Sequence, residues 1–573
     1  LKGASRGEYF AHPNRNRSAN LLEKEKLEMK RISWKMIILL LAGLFVAATA
    51  AAAEMDGDIA GDPLSGPGSI SLMTKGNIMM SFGARVRMIP TSETDWDFGF
   101  QGSLEGDLLG GALSSAFFKQ HANESGWVAE NYIRNETQIY LNALPEDRKW
   151  SFHAALEFDR PLDTNVVDER GGLDNETSDF GLERIHGSYK LGENLRLHAG
   201  YDIWFVGDPA GLTYGDDSPG FWLDGDYGAV DFSVAYFKLS EYNWDVSPST
   251  ERFSDSKNED RDLYAGYLNY NLGKGHDIRG FYMFDRIRDV PTGSILQRLT
   301  GQAGAVPDTN AHYLGGFYEG KMGLLSCFVE GVYKFGEAED TGLARDDYDI
   351  SAYALSADLE LNLDEMVGFG FKPHLGFIYT SGDDDPADGD LEGYTGVATH
   401  QRFTKFGGEN TIIGDGHTML GSVIYSFIPG LYGSGTPVIT GGLTNTTALG
   451  AERGDNPGMT MTSAGLTLAP KRFLIYRTNV NSFWWNEDIR VPSFVNPAVV
   501  TPVDSGYTGT EWDNEITLAM SRHSFIKAHG SIFFPGEVIE DVTSARSSVL
   551  VPGDGPQSDD PAYRLGMEFI WNF

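Results

Sequence analysis

Three sets of residues in this chain have types and spacings that do chemistry in other proteins. Ser521, His523 and Ser524 place two hydroxyls beside an imidazole. A Ser–His pair becomes a nucleophile only when a third group orients the base and donors face the oxyanion. Here the residues fill a tight turn between two apolar runs, and Ser is an ordinary turn former. They are read as a turn, and the chain is expected not to be an enzyme. The second set is a carboxylate cluster, Asp383, Asp384, Asp385, Asp388, Asp390 and Glu392. Hard oxygen donors suit Ca²⁺, with Asp383, Asp385, Asp388 and Asp390 as candidate ligands. Pro386 interrupts the spacing of an EF-hand loop, which makes a solvated acidic loop the simpler reading. Glycine-rich phosphate loops and Cys/His metal spacings are absent.

The third set is larger and more regular. Arg85, Arg87, Arg134, His153, Arg184, His186, Arg196, His198 and Arg564 alternate with apolar residues along their runs. So do the acids Glu136, Glu157, Asp159, Asp202, Glu511, Asp513, Glu515 and Glu568. Charged side chains lining a pore set its ion preference. One expectation is a basic wall, closed by Arg564 beside the first strand, with acids opposite or interleaved. The other is a set of ion pairs that stiffens a wet interior.

The elements that carry these charges are strands. Tyr563, Leu565, Met567, Phe569, Trp571 and Phe573 alternate with Arg564, Gly566, Glu568, Ile570 and Asn572. A period of two marks a strand whose faces meet different solvents. A soluble sandwich would bury such a strand, whereas a transmembrane barrel sets one face in lipid and the other over a wet lumen. A first strand over 77–88 is predicted to end at Pro90. Eight hairpins follow, over 133–158, 185–203, 221–236, 264–284, 312–335, 353–379, 460–484 and 512–534. With 563–573 this gives about 18 strands. Short turns alternate with long polar links near 160–178, 206–219, 240–260, 287–310 and 336–348, as at the two rims of an outer-membrane barrel. The stretch 381–457 is long for a loop and is expected to fold into the lumen. Met419–Phe427 inside it is counted as loop, because an antiparallel barrel with both ends in the periplasm needs an even number of strands.

The start of the chain reads differently. Residues 1–28 are polar and unpatterned, as in an extension ahead of a start at Met29. Lys30, Arg31 and Lys35 precede the apolar run 36–46 and the small-residue tract 47–53, the pattern of a secretory signal peptide over 29–53. A membrane-spanning helix is the alternative, but its second half is mostly Ala. Residues 54–76 read as a periplasmic lead-in and 77–573 as the barrel. The one cysteine, Cys327, excludes an intramolecular disulfide and sits where a small apolar residue packs. Taking the 9 basic and 4 acidic residues of 1–53 from totals of 45 and 81 leaves a net charge of −41. That charge excludes nucleic-acid binding through general electrostatics.

Short motifs then carry a resemblance. Leu191–Tyr201 (LGENLRLHAGY), Ser381-Gly382-Asp383, the set Gly509, Glu511 and Asp513, and Phe534-Pro535-Gly536 are similar, in order and spacing, to motifs of the alginate-export family of outer-membrane porins. The resemblance implies an all-β, 18-stranded transmembrane barrel that passes anionic polysaccharide or small solutes. The family's Arg-Gln is here Tyr201-Asp202, which points to a relative with general solute duty. The last strand resembles the closing strand of outer-membrane barrels, whose terminal aromatic is implied to be a signal to the barrel-assembly machinery. The expected function is an outer-membrane channel for small or anionic solutes. The alternative is a non-transport barrel, an adhesin or a scaffold around a periplasmic partner such as an electron carrier.

Overall fold

The computed structural model describes residues 70–74, 76–94, 98, 130–161, 181–206, 212–241, 260–288, 290–291, 305–306, 308–339, 347–385, 388–397, 456–493, 496, 499–557 and 559–573. The predicted extension and signal peptide lie outside them, as do most of the lead-in and Met419–Phe427.

Alternating side chains make eighteen strands, joined in chain order: β1 (Ile78–Thr94), β2 (Glu130–Pro145), β3 (Trp150–Pro161), β4 (Gly181–Lys190), β5 (Leu195–Phe205) and β6 (Gly215–Asp226). Next come β7 (Val230–Glu241), β8 (Asp260–Asn271), β9 (His276–Ile287), β10 (Asp308–Met322), β11 (Leu325–Glu339) and β12 (Tyr348–Leu361). The last six are β13 (Gly370–Thr380), β14 (Met459–Lys471), β15 (Leu474–Trp485), β16 (Gly506–Ala519), β17 (Ser524–Pro535) and β18 (Ala562–Asn572). Each pairs antiparallel with the next, and β1 pairs with β18, so the sheet closes on itself. Closure satisfies strand edges that would otherwise expose unpaired peptide groups.

The closing ladder runs from Arg85↔Asn572 to Thr94↔Tyr563 with no pair at Ile89 and Pro90. Pro90 has no N–H to give, so it interrupts the ladder without ending the strand. This corrects the predicted end of the first strand, because β1 runs on to Thr94. Ala84 and Phe573 exchange two backbone hydrogen bonds at the end of the seam. Beyond Phe573 a short strand, Ile70–Met73, takes over the same row and pairs with Met79–Phe82. It lies inside the stretch expected to be a lead-in.

The two faces of the wall differ in kind. On β10, Tyr313 is 0% exposed while the next residue, Leu314, is 57% exposed. Leu268, Leu375, Val234 and Phe221 are likewise open on the outer face. Near the long-loop rim an outward row of rings, Tyr236, Tyr264, Phe284, His312 and Phe335, runs over β7–β11 with successive centroids 4.6–6.0 Å apart. Apolar strands edged by aromatic girdles are what a barrel presents to lipid. At the other rim the turns are tight. Between β8 and β9, Gly273, Lys274 and Gly275 all take positive φ, and Asn271 Oδ1 accepts the Gly273 N–H at 2.8 Å.

Two elements were not legible as such in the sequence. Helix α1 (Asp364–Val367) fills the β12–β13 turn. Helix α2 (Glu537–Ser547) follows β17, where a plain loop was expected. Its Val538, Ile539, Val542 and Ala545 share one face and are fully buried. With a small hairpin, Ile489–Pro492 and Val500–Val503, that face joins inward residues such as Met459, Phe483 and Phe533. The long-loop half of the lumen therefore holds an apolar layer. Among the described residues no helix is long and apolar enough to cross a membrane.

The outward face carries the first prediction. Leu314→Arg should lower the folding stability by about 2–4 kcal/mol, the cost of a cation on a lipid-facing barrel position near the midplane. Urea titration of refolding into lipid vesicles measures it. No loss would show that this face is not in lipid.

Candidate functional site in the barrel lumen

The inward charges are arranged as a ladder across the closing seam. Arg87 on β1 donates to Glu568 on β18 through Nη2 at 2.7 Å and Nε at 3.2 Å, and its Nη1 pairs with Glu136 on β2. Lys527 on β17 sits 3.9 Å from Glu568 and 3.2 Å from Glu515 on β16. Arg477 on β15 reaches Glu515 at 3.1 Å. His529 Nδ1 lies 3.6 Å from Glu568. Six neighbouring strands thus contribute acid, base, acid, base, acid, base. Side chains directly opposite on paired strands lie about 5 Å apart, so like charges there would repel and opposite ones bind. Around β1 and its neighbours the basic residues are interleaved with acids.

The other expected positions fall into two groups. Arg85 shares the inward parity of Arg87 and is exposed to the lumen. Arg134 and Glu157 are half-buried, and Arg564 and Glu511 are buried. Asp513 accepts from Asn481 at 2.9 Å and from Ser531. The side chain of Asp159 lies outside the described ones. The second group sits on β3–β6. His153, His186 and His198 form a row with centroids 5.9 and 5.8 Å apart, and His198 stacks on Trp222 at 4.9 Å. His186 Nδ1 is 2.5 Å from Asp202 and His198 Nε2 is 3.2 Å from Asp224. Arg184 donates to Asp217 at 2.8 and 3.2 Å. Arg196 donates to Ser188 at 2.7 Å and to the Arg148 carbonyl at 3.2 Å, bracing the short-turn rim.

The start of the expected inward segment is described, and it does turn in. After β13, Asp390–Leu391 pairs parallel with Asp349–Ile350 of β12. Leu391, Tyr394 and Val397 are then buried. Thr395 is held by the Tyr313 hydroxyl on β10 and Lys334 Nζ on β11, both at 3.2 Å. Tyr394 and Val397 meet the β5–β6 connection: Tyr394 Oη donates to the Leu212 carbonyl at 3.1 Å and the Val397 N–H to the Thr213 carbonyl at 2.8 Å. Lys527, His529 and Arg477 are not among the expected lumen residues, although the alternation along their strands carries the signal that places them on the inner face. Nothing in the local sequence marked Tyr394, because its burial depends on a wall far along the chain.

Asp388 Oδ1 accepts the Asp390 N–H at 2.7 Å, and Asp383 is buried. Among the described residues no three His, Cys, Asp or Glu side chains converge as a metal site. Burial pushes the Glu392 carboxyl above its ordinary range, and Asp384, Asp388 and Asp390 push it further. Glu487 is raised by burial and then by Asp384 and Asp488.

No family model matches this chain, and no curated protein matches it. Solved structures do. Crystal structures of Pseudomonas aeruginosa OpdK with vanillate, P. aeruginosa OccK9 (OpdG) and Acinetobacter baumannii OccAB3 share 9, 10 and 10% identity with it. Each match covers 86% of this chain and 98, 98 and 99% of the other, with TM-scores of 0.43, 0.45 and 0.42. The fold is defined by the strand pairing given above.

Two predictions follow from this geometry. Arg87→Ala should cost about 3 kcal/mol of stability, because removing one partner of a buried pair strands the other charges. Urea unfolding measures it, and a loss no larger than an exposed pair gives, about 0.5 kcal/mol, would show the ladder to be incidental. The second concerns pH. Glu392 and Glu487 take up protons more readily in the folded loop than in the unfolded chain. The loop therefore gains stability as pH falls through the window between their raised and ordinary values, and that gain is lost above it. Amide exchange of 383–397, corrected for intrinsic rate, should slow on acidification, and Glu392→Gln should flatten the response.

Proposed function

We propose that this chain is an outer-membrane channel through which small polar solutes, anions among them, move by passive diffusion. The observation that carries the reading is the joint one of a closed barrel that is apolar outside and a lumen whose walls hold hydrogen-bonded charges. A scaffold with no passage would have no use for Arg85 standing exposed over the lumen. Charges in the lumen give selectivity by local field, and the level where Tyr394 and Val397 meet the β5–β6 connection would set the size limit. The relation to alginate export rests on the short sequence motifs alone. Vanillate bound to OpdK is a small aromatic carboxylate, of the size and charge class proposed for this lumen.

The apolar layer near the long-loop rim favours one competing reading, a barrel closed to solutes that acts as an adhesin or scaffold. Conductance of the purified protein in a planar bilayer separates the two: steady or stepping current supports the channel, silence the closed barrel. Within the channel reading, Arg85→Ala should shift the reversal potential in a salt gradient toward cation preference without altering unfolding. An unchanged potential would remove the lumen charges from any role in selection.

A further inference from the structure

One hairpin leaves the wall. β5 and β6 pair with each other along their length, from Leu195↔Gly225 to Phe205↔Gly215. β4 accompanies β5 for only six pairs, Ile185↔Tyr201 to Lys190↔Arg196. β7 accompanies β6 for only seven, Gly220↔Phe237 to Asp226↔Asp231. Among the described residues, Asp202–Phe205 and Gly215–Ser218 therefore pair only with each other. The line of departure is a facing pair of glycines, Gly200 and Gly220. Gly200 has φ +141°, and a Cβ on it would lie 2.2 Å from the Ile185 carbonyl oxygen; one on Gly220 would lie 2.1 Å from that of Tyr236. Both strands press against their neighbours at this line and separate from them above it.

Past the line the hairpin turns into the lumen. Trp204 Nε1 donates to Ser233 Oγ on the inner face of β7 at 3.1 Å, and its ring lies 5.4 Å from that of Phe237. The Leu212 and Thr213 carbonyls accept from Tyr394 and Val397, as described above. Across the split toward β4 the connection is made by side chains. Arg184 holds Asp217 and lies 3.7 Å from Asp202, and His186 reaches Asp202 as well. Asp202 Oδ1 accepts the N–H of Ile203 at 2.9 Å, a bond that an absent β4 partner would otherwise supply.

We propose that the outer half of the β5–β6 hairpin is a gate, hinged at Gly200–Gly220, latched to the wall by Arg184 and seated on Tyr394–Val397. The proposal rests on the channel reading. Opening an ordinary strand pair in a barrel breaks several ladder bonds at once. Here neither flank is laddered, so the tip moves by releasing the latch, its two bonds to the crossing segment and the Trp204–Ser233 bond, and by sliding Trp204, Val206, Leu212 and Tyr214 against the apolar layer in which they are buried.

The test uses the full-length folded protein in planar bilayers. Thr213→Cys with Val397→Cys joins the tip to its seat; Cys327 is buried on another strand. With the disulfide confirmed by mass, open–closed current steps should fall at least tenfold, and dithiothreitol should restore them. Arg184→Gln should raise their frequency at least threefold, with the folded barrel verified by its migration on an unheated gel; if it does not fold, Asp217→Asn replaces it. Steps that persist at the same frequency in the oxidised double variant, or in the latch variant, overturn the gate alone. So does steady current without steps in both wild type and latch variant. Absence of any current in wild type, reduced double variant and latch variant overturns the channel reading and the gate with it.

Discussion

Closure of the first strand on the last is the constraint on which everything else depends. In a medium without water each unpaired peptide group costs several kcal/mol, so an eighteen-stranded sheet is viable in lipid only as a ring. The closing ladder lapses at Ile89 and Pro90. Arg87 lies two residues away and grips Glu568 on the far side of that lapse and Glu136 on the near side. A covalently sequential hairpin needs no such help, because its turn keeps the strands in register. The seam joins residues nearly 500 positions apart and has no turn. Charge recognition supplies the alignment instead, and it continues through Lys527, Glu515 and Arg477 into strands that are ordinary neighbours.

The two ends of the lumen are built on different physics. Toward the short turns the wall is charged, with arginines and Lys527 paired to carboxylates across adjacent strands. Toward the long loops an apolar layer is added, because α2, the small hairpin of Ile489–Pro492 and Val500–Val503 and the segment at Leu391–Val397 bury their side chains there, while Arg261 and Asp285 form a buried pair. A solute would thus meet a close-packed level first and a polar wall after it. Packed interiors resist continuous deformation, so the side chains of that level are held as a unit.

Legibility in the sequence followed the range of the interactions involved. Strands with two solvents wrote a period of two over six or more residues, and their number and most of their bounds could be read. Pro90 misled, because a proline that ends a strand in a soluble sheet is tolerated where the missing hydrogen bond falls beside an ion pair. The parity of Arg87, Glu136, Glu515 and Glu568 was readable; that they alternate in sign around the ring was not, since strand order at the seam brings together opposite ends of the chain. Buried Tyr394 and the fold line at Gly200 and Gly220 were hidden for the same reason. Helix α2 was masked by its serines and threonines, which look like loop until its four apolar residues are seen on one face.

The short strand Ile70–Met73 has a consequence for the neighbours of this protein rather than for its interior. Past the Ala84–Phe573 bonds, residues 79–82 of β1 pair with Ile70–Met73; left unpaired, they would be a bare margin with open donors and acceptors, able to recruit a stray extended segment from another molecule. The protein covers that margin with its own chain. The row of donors and acceptors at residues 79–82 is thereby spent within one chain.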